Sequence, residues 1–235
     1  SLYGISSTLT PYHEHNANIA LPRLIKRLKK NEIVSLISDA GTPLISDPGY
    51  RLVQAAIAED IPITTTPGPV APIAALTLSG LPTDSFFFAG FLPPKQTAKK
   101  NRICQLATIP ATLIFYESPR RLSLTLKEMA NIYGNRPAAV VREISKKFEE
   151  VRRGTIETLL NELNTVGQLR GEIVLIIGPP APEKIIDNAT IDSELIKALS
   201  EMSLRDSVEK IALSYDRPKR EVYKRALAIT SLDSS

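Results

Sequence analysis

From residue 17 onward the apolar positions fall at helical spacing, then at strand spacing, and the two keep alternating. Leu21, Leu24, Ile25 and Leu28 form one stripe of a helix over residues 17–30, with Arg23, Lys26, Arg27, Lys29 and Lys30 off that stripe. Ile33-Val34-Ser35-Leu36-Ile37-Ser38 predicts a short buried strand, and Leu52, Val53, Ala56 and Ile57 mark the next helix after a Gly/Pro-rich loop. A second strand, Ile61-Pro62-Ile63-Thr64-Thr65-Thr66, runs into Pro67-Gly68-Pro69 and an Ala-rich helix ending near Gly80. This repetition predicts a mostly parallel sheet covered by helices.

Past Leu81-Pro82-Thr83-Asp84 the pattern restarts. Residues 85–92, 112–116, 138–144 and 172–177 predict strands, and residues 95–107, 119–132 and 156–164 predict helices. Together they make a second α/β domain with a mixed sheet. Gly178-Pro179-Pro180-Ala181-Pro182 reads as a linker. From Ile191 the chain is helical throughout, and Asp216-Arg217-Pro218 separates two short helices in a way that resembles a helix-turn-helix. A small packing cap satisfies the same pattern. The expected organisation is an N-terminal α/β domain over 1–83, a second α/β domain over 84–178, a linker over 179–190 and a helical tail over 191–235.

The chain has 235 residues, 43% hydrophobic and 23% charged, which excludes wholesale disorder. A net charge of +4 permits a polyanionic partner without demanding one. The single cysteine, Cys104, excludes an internal disulfide framework and a cysteine-built zinc site; it fits a reducing, cytoplasmic location. Its place in the predicted helix implies a buried thiol. No apolar run is long enough to span a bilayer and the start shows no signal peptide, so no membrane partner is expected.

The densest chemical signal is Ser38-Asp39-Ala40-Gly41-Thr42-Pro43-Leu44-Ile45-Ser46-Asp47-Pro48-Gly49, at a predicted strand's carboxyl end, where α/β proteins bind ligands. It is neither a GxxxxGK[ST] loop nor a GxGxxG fingerprint, so ATP and NAD lose ground. An ordinary turn with Asp47 as helix cap also accounts for it. Pro67-Gly68-Pro69 repeats the device at the next strand end, and the two loops are placed to form opposite walls of one crevice. His13-Glu14-His15-Asn16 invites a metal reading, but these are the only two histidines and no third ligand is evident, so no metal is assigned. In the second half, Tyr116-Glu117-Ser118-Pro119-Arg120-Arg121 and the charged run from Arg142 to Arg153 read either as a solvated edge or as a phosphate-reading surface. That surface would draw on Lys95, Lys99, Lys100, Arg120, Arg121, Lys146, Lys147, Arg152 and Arg153.

Taken in order, Ser38-Asp39-Ala40-Gly41-Thr42-Pro43 with Asp47-Pro48-Gly49, Pro67-Gly68-Pro69, Gly90-Phe91-Leu92-Pro93, Phe115-Tyr116-Glu117-Ser118-Pro119 and Arg142-Glu143 leading into Lys147-Phe148-Glu149-Glu150 resemble the tetrapyrrole methylase superfamily. Within it they resemble the branch acting on small-subunit ribosomal RNA, over nearly the whole chain. The resemblance implies two α/β domains with S-adenosylmethionine (SAM) in the cleft between them, a homodimer, and methylation of a cytidine ribose 2′-hydroxyl in the decoding region. The substrate would be the rRNA or the assembled small ribosomal subunit. By position, Ala40, Gly41, Thr42, Pro43, Pro67 and Gly68 would face the cofactor, with Tyr116, Glu117 and Gly171-Glu172 as weaker candidates. Lys99, Lys100, Arg120, Arg121, Lys147, Arg152 and Arg153 would hold RNA.

The sequence departs from the family pattern at several points. Val70-Ala71 stands where the family has Ser/Cys-Ala, and Arg120 stands where it has His, so no acid–base role is assigned there. Ile144-Ser145 replaces Leu-Thr. The Thr-Pro-Ile-Gly-Asn loop and Ala-Glu-Asp-Thr-Arg stretch of the family's front are absent, so the N-terminal domain is expected to lack its first strand. Transfer to a ribose hydroxyl is an in-line displacement that needs positioning and help for a poor nucleophile. Glu143 is the expected base or orienter, with Arg142 and Lys146 stabilising developing charge. Two other readings fit parts of the pattern: a methyltransferase for a small tetrapyrrole, and a non-catalytic RNA binder.

Overall fold

The computed structural model describes residues 4, 6–167, 169–181, 188–215 and 217–232. Residues 182–187 of the expected linker, Asp216 and residues 233–235 lie outside the described residues. The chain divides into a unit over Ser1–Pro180 and a unit over Ala181–Ser235.

In the first unit, α1 (Ala17–Leu28), α2 (Tyr50–Ala58) and α3 (Ala71–Ser79) precede a run of strands and helices. These are β1 (Phe86–Phe91), α4 (Gln96–Leu106), β2 (Thr112–Glu117), α5 (Pro119–Tyr133), β3 (Pro137–Arg142), β4 (Glu150–Thr155), α6 (Ile156–Val166) and β5 (Ile173–Ile177). The five strands make one sheet in the order β1-β2-β5-β3-β4. β1 runs parallel to β2, while β2–β5, β5–β3 and β3–β4 are antiparallel.

Side chains of a strand alternate between faces, and here both faces are covered. Leu113, Phe115, Ala138, Val140, Ile173, Leu175 and Ile177 share one core with Ile103, Leu122, Leu126, Met129, Ile156 and Leu159 of α4, α5 and α6. Ile114, Ala139, Val141, Val174 and Ile176 point the other way, onto Ala75 and Leu76 of α3. α3 therefore closes the second face of a sheet whose strands all follow it in the chain. Arg153 on β4 strengthens this join by donating twice to the Leu78 carbonyl near the end of α3, at 2.9 and 2.6 Å.

The mixed sheet and every helix predicted between residues 17 and 166 form within a few residues of expectation. Two expected strands do not. Residues 33–38 and 61–66 make no ladder among the described residues, and Ile33, Ile37 and Ile63 are 93%, 71% and 49% exposed. An apolar alternation becomes a strand only where neighbouring strands take its backbone bonds and cover its side chains. One strand escaped the sequence pattern: β4, whose Glu-Val-Arg-Arg-Gly-Thr composition reads as a solvated charge run. It is the outer strand beside β3, where charged side chains are the usual protection against unwanted pairing.

The second unit contains α7 (Asn188–Glu201), α8 (Leu204–Ser214) and α9 (Lys219–Leu232) around a core of Ile191, Leu195, Ala198, Val208, Ile211, Ala212, Val222 and Ala226. Ser203 caps α8 by accepting from the Asp206 amide. No described helix is long and apolar enough to cross a membrane.

Candidate functional site

Strand direction decides which residues meet. The register pairs Phe91 with Tyr116, Glu117 with Ile173, Ile173 with Arg142, and Arg142 with Glu150. One end of the sheet thus collects the last residues of β1, β2 and β3 and the first of β5 and β4. Most second-half motifs singled out in the sequence converge on this end.

The two N-terminal loops stand beside each other. Thr42 Oγ1 donates to the Pro69 carbonyl at 3.2 Å, which joins the 38–49 loop to the Pro67-Gly68-Pro69 turn. A Cβ placed on Gly90 would lie 3.4 Å from Ser46 Oγ, so the first loop also reaches the end of β1. The loop is wound tightly. Leu44 and Ser46 hold φ of 73° and 58°, a left-handed conformation that costs L-residues on the order of 1–2 kcal/mol each. Gly49, at φ 139°, leaves no room for a side chain: a Cβ there would sit 2.6 Å from Leu36 Cδ2 and 2.7 Å from Leu44 Cδ1. Ser38 Oγ donates to the carbonyls of Ala40 and Gly41. The amides of Ala40, Gly41 and Gly68 take no acceptor among the described residues, and the three residues are exposed.

At the neighbouring strand ends the rings of Phe91 and Phe88 each lie 5.1 Å from that of Tyr116. Burial, helped by the Glu172 carboxylate, pushes the Tyr116 phenol up from its ordinary value. Glu117 faces inward: its carboxylate accepts from the Ser118 amide at 2.8 Å and from Thr125 Oγ1 at 2.7 Å, with Arg121 Nε 3.5 Å away. It organises the start of α5.

Beyond β3 the backbone of Glu143 turns into the left-handed region, φ 51°. Its carboxylate accepts from the Glu172 amide at 2.8 Å and from Lys146 Nζ at 3.1 Å, while Lys146 also pairs with Glu172 at 2.9 Å. Gly171 makes this possible: at φ +92°, a Cβ would lie 2.4 Å from Glu143 Oε1. The Glu172 amide first, then Lys146, holds the Glu143 carboxyl below the ordinary carboxylate value. The two carboxylates in turn hold the Lys146 ammonium above its own. Glu150 forms a second hub, with Arg142 and Arg152 at 2.9 and 2.7 Å. The Arg-to-Glu cross-strand pairing behind it is invisible until β4 is known to be a strand.

Part of the expected cationic surface has partners within the fold. Lys99 is buried and pairs with Glu128 at 2.9 Å. Arg121 donates to the carbonyls of Leu92 and Pro93, Arg152 is held by Glu150, and Arg153 by Leu78. Arg142 adds a bond to the Arg170 carbonyl. A charge pattern alone does not show which cations are held by partners within the fold. Lys100, Arg120 and Lys147 are exposed and stay available. Cys104, expected buried, is exposed as well, because the inward face of α4 is carried by Lys99, Ile103 and Leu106. No cluster of metal-ligating side chains occurs among the described residues; the His13 and His15 rings lie edge to face, 6.0 Å apart.

Residues 5–160 match the family of tetrapyrrole (corrin/porphyrin) methylases. A protein of Mesorhizobium japonicum named ribosomal RNA small subunit methyltransferase I is 47% identical over 97% of this chain and 77% of its own length. The chain belongs to the ribosomal RNA small subunit methyltransferase I family, within the tetrapyrrole methylases. A member from Xylella fastidiosa is 49% identical over 74% of the chain and 65% of its own length. The alignment thus spans about two thirds to three quarters of these relatives. Among solved structures, the methyltransferase CobJ superposes with a TM-score of 0.52 at 17% identity, covering 70% of this chain and 72% of that one. A uroporphyrin-III-C-methyltransferase from Thermus thermophilus gives 0.51 at 22%, covering 74% of each. These likenesses establish the methylase fold that the sequence motifs imply.

Proposed function

We propose that the chain is a SAM-dependent methyltransferase of small-subunit ribosomal RNA, acting on the ribose 2′-hydroxyl of a cytidine in the decoding region. The observation that carries the proposal is the convergence of the 38–49 loop, the Pro67-Gly68-Pro69 turn and the Gly90–Phe91 strand end, in a chain whose relatives are named small-subunit ribosomal RNA methyltransferases. The residues suit the cofactor. Free amides at Ala40, Gly41 and Gly68 offer donors to its polar groups, Thr42, Pro43 and Pro67 shape the wall, and Phe91 and Tyr116 offer an aromatic surface. SAM supplies a methyl group on a cationic sulfur with a neutral leaving group, so the protein's main task is alignment.

Glu143 acts as an orienter in this reading. Its oxygen already accepts from Glu172 and Lys146, and its lowered proton affinity makes it a weak base. It holds Lys146 beside the sheet end, where an ammonium favours developing alkoxide or a phosphate. Lys100, Arg120 and Lys147 are the exposed cations left to contact the RNA backbone. The cleft would lie between lobes 1–83 and 84–178 of a cytoplasmic homodimer.

The deciding experiment follows labelled methyl from SAM into undermethylated small ribosomal subunits, with a tetrapyrrole precursor as parallel acceptor. The expected product is one rRNA nucleotide resistant to alkaline cleavage. Label appearing only in the tetrapyrrole overturns the proposal.

A further inference from the structure

The second unit contains a cavity that the methyl-transfer site does not use. It has a volume of about 380 Å³, lies between α8 and α9, and is lined by Arg205, Val208, Glu209, Lys219, Arg220 and Tyr223. Its construction follows from the helix period. Val222 and Ala226 face the core of the unit, so Arg220, Tyr223, Lys224 and Leu227 of α9 point away from it. Tyr223 is 46% exposed and Leu227 44%, so both are open to a ligand.

The charges are unevenly distributed. α7 carries Asp192, Glu194 and Glu201 against Lys197, whereas α9 carries Lys219, Arg220, Lys224 and Arg225 against Glu221. Arg225 is held by Asp192 at 2.6 Å, and Lys219 is held by Glu209. Arg220 and Lys224 make no ion pair among the described residues. Arg205 and Arg220, neither in an ion pair among the described residues, therefore line a cavity with an aromatic ring on one wall, an apolar Val208 and the Lys219-paired Glu209 carboxylate, and Lys224 stands one turn of α9 beyond Arg220.

We propose that the α8–α9 cavity binds one unstacked nucleotide of single-stranded RNA, with the base on Tyr223 and Val208, its exocyclic amine donating to Glu209, and the adjoining phosphates on Arg220 and Lys224. The choice of RNA rests on the proposed ribosomal substrate; the choice of a single strand rests on the cavity. A stacking ring beside cations is the usual platform for single strands. The Glu209 carboxylate on the wall would repel a duplex backbone driven into the groove, yet it accepts a hydrogen bond from a splayed base. The volume lies within the range of small-ligand sites, which run from about 300 to 1,000 Å³.

The test uses the full chain and a fluorescein-labelled ten-nucleotide single-stranded RNA, titrated by anisotropy at several salt concentrations. Tyr223→Ala is expected to weaken binding about tenfold, Tyr223→Phe to retain it, and Arg220→Glu to weaken it and flatten the salt dependence. SAM affinity by calorimetry should not change, and with small subunits as substrate KM should rise while kcat holds. Parental RNA affinity in Tyr223→Ala and Arg220→Glu overturns the proposal, as does tighter binding of the same sequence as a duplex. If the unsubstituted chain methylates no subunit, the proposed activity fails, and the oligonucleotide affinities still decide the cavity.

Discussion

Replacing Lys99 should damage the fold and leave RNA affinity alone. Its ammonium lies 2.9 Å from Glu128 on the neighbouring helix, and the two side chains are 4% and 15% exposed. The Gln96 amide donates to the other Glu128 oxygen. Lys99→Ala would leave a carboxylate facing a pocket without its cation. Breaking a buried pair costs about 3–5 kcal/mol. Glu128 keeps some solvent and its Gln96 partner, which argues for the lower end, about 3 kcal/mol. At roughly 2–4 °C per kcal/mol for a chain of this size, the melting temperature should fall by on the order of 10 °C. Urea titration and thermal melts measure this directly, with exposed Lys100→Ala as the control, expected within about 0.5 kcal/mol of the parent. Lys99→Met combined with Glu128→Leu should recover most of the loss, because an apolar pair needs no desolvation of charge. A Lys99→Ala protein that melts like the parent but binds RNA several-fold more weakly would refute the burial argument and return Lys99 to the phosphate-binding set.

Gly171→Ala should displace the Glu143 carboxylate and lower the methyl-transfer rate at least tenfold while SAM affinity holds; an unchanged rate would remove Glu143 from the site. The Glu143–Lys146 link also has a sign in pH. Glu143 is held below its ordinary 4.5 and Lys146 above its ordinary 10.5, so their contribution is complete between those values, lost in acid through the lowered Glu143 value and in base through the raised Lys146 value. In Lys146→Met, stability measured by urea titration should respond less to alkali above pH 10.5 than in the parent. Gly49→Ala should weaken SAM binding and lower the melting temperature together, since both Leu36 and Leu44 must move to admit a methyl. The exposed Cys104 thiol should react with a chromogenic disulfide reagent in the native protein at a rate that added denaturant barely changes.

Strands β2, β3 and β5 were legible because they are apolar on both faces: Leu113 to Phe115, Ala138 to Val141 and Ile173 to Ile177 offer no competing helical stripe. The tight loops were legible because Gly41, Gly49 and Gly68 with neighbouring prolines restrict the backbone locally. Pairing was not legible. Nothing within residues 33–38 says whether a neighbour will cover Ile33 and Ile37, and nothing within β4 says that its Arg153 has a partner at Leu78. The same gap explains the site. The motif order pointed to the sheet end, while the restraint on Glu143 arises from Gly171 and Glu172, 28 and 29 residues later. Their meaning depends on the antiparallel register of β3 and β5.

That register also sets the order of events during synthesis. β5, the strand in the middle of the sheet, is the last of the five to be made. Until residues 173–177 leave the ribosome, β1–β2 and β3–β4 are two separate pairs whose inner edges, at β2 and β3, have no strand between them. Pairing across such distances along the chain is slow and leaves sticky edges exposed. A nascent chain halted before β5 should be a good client for a holding chaperone, and one released just after it should not.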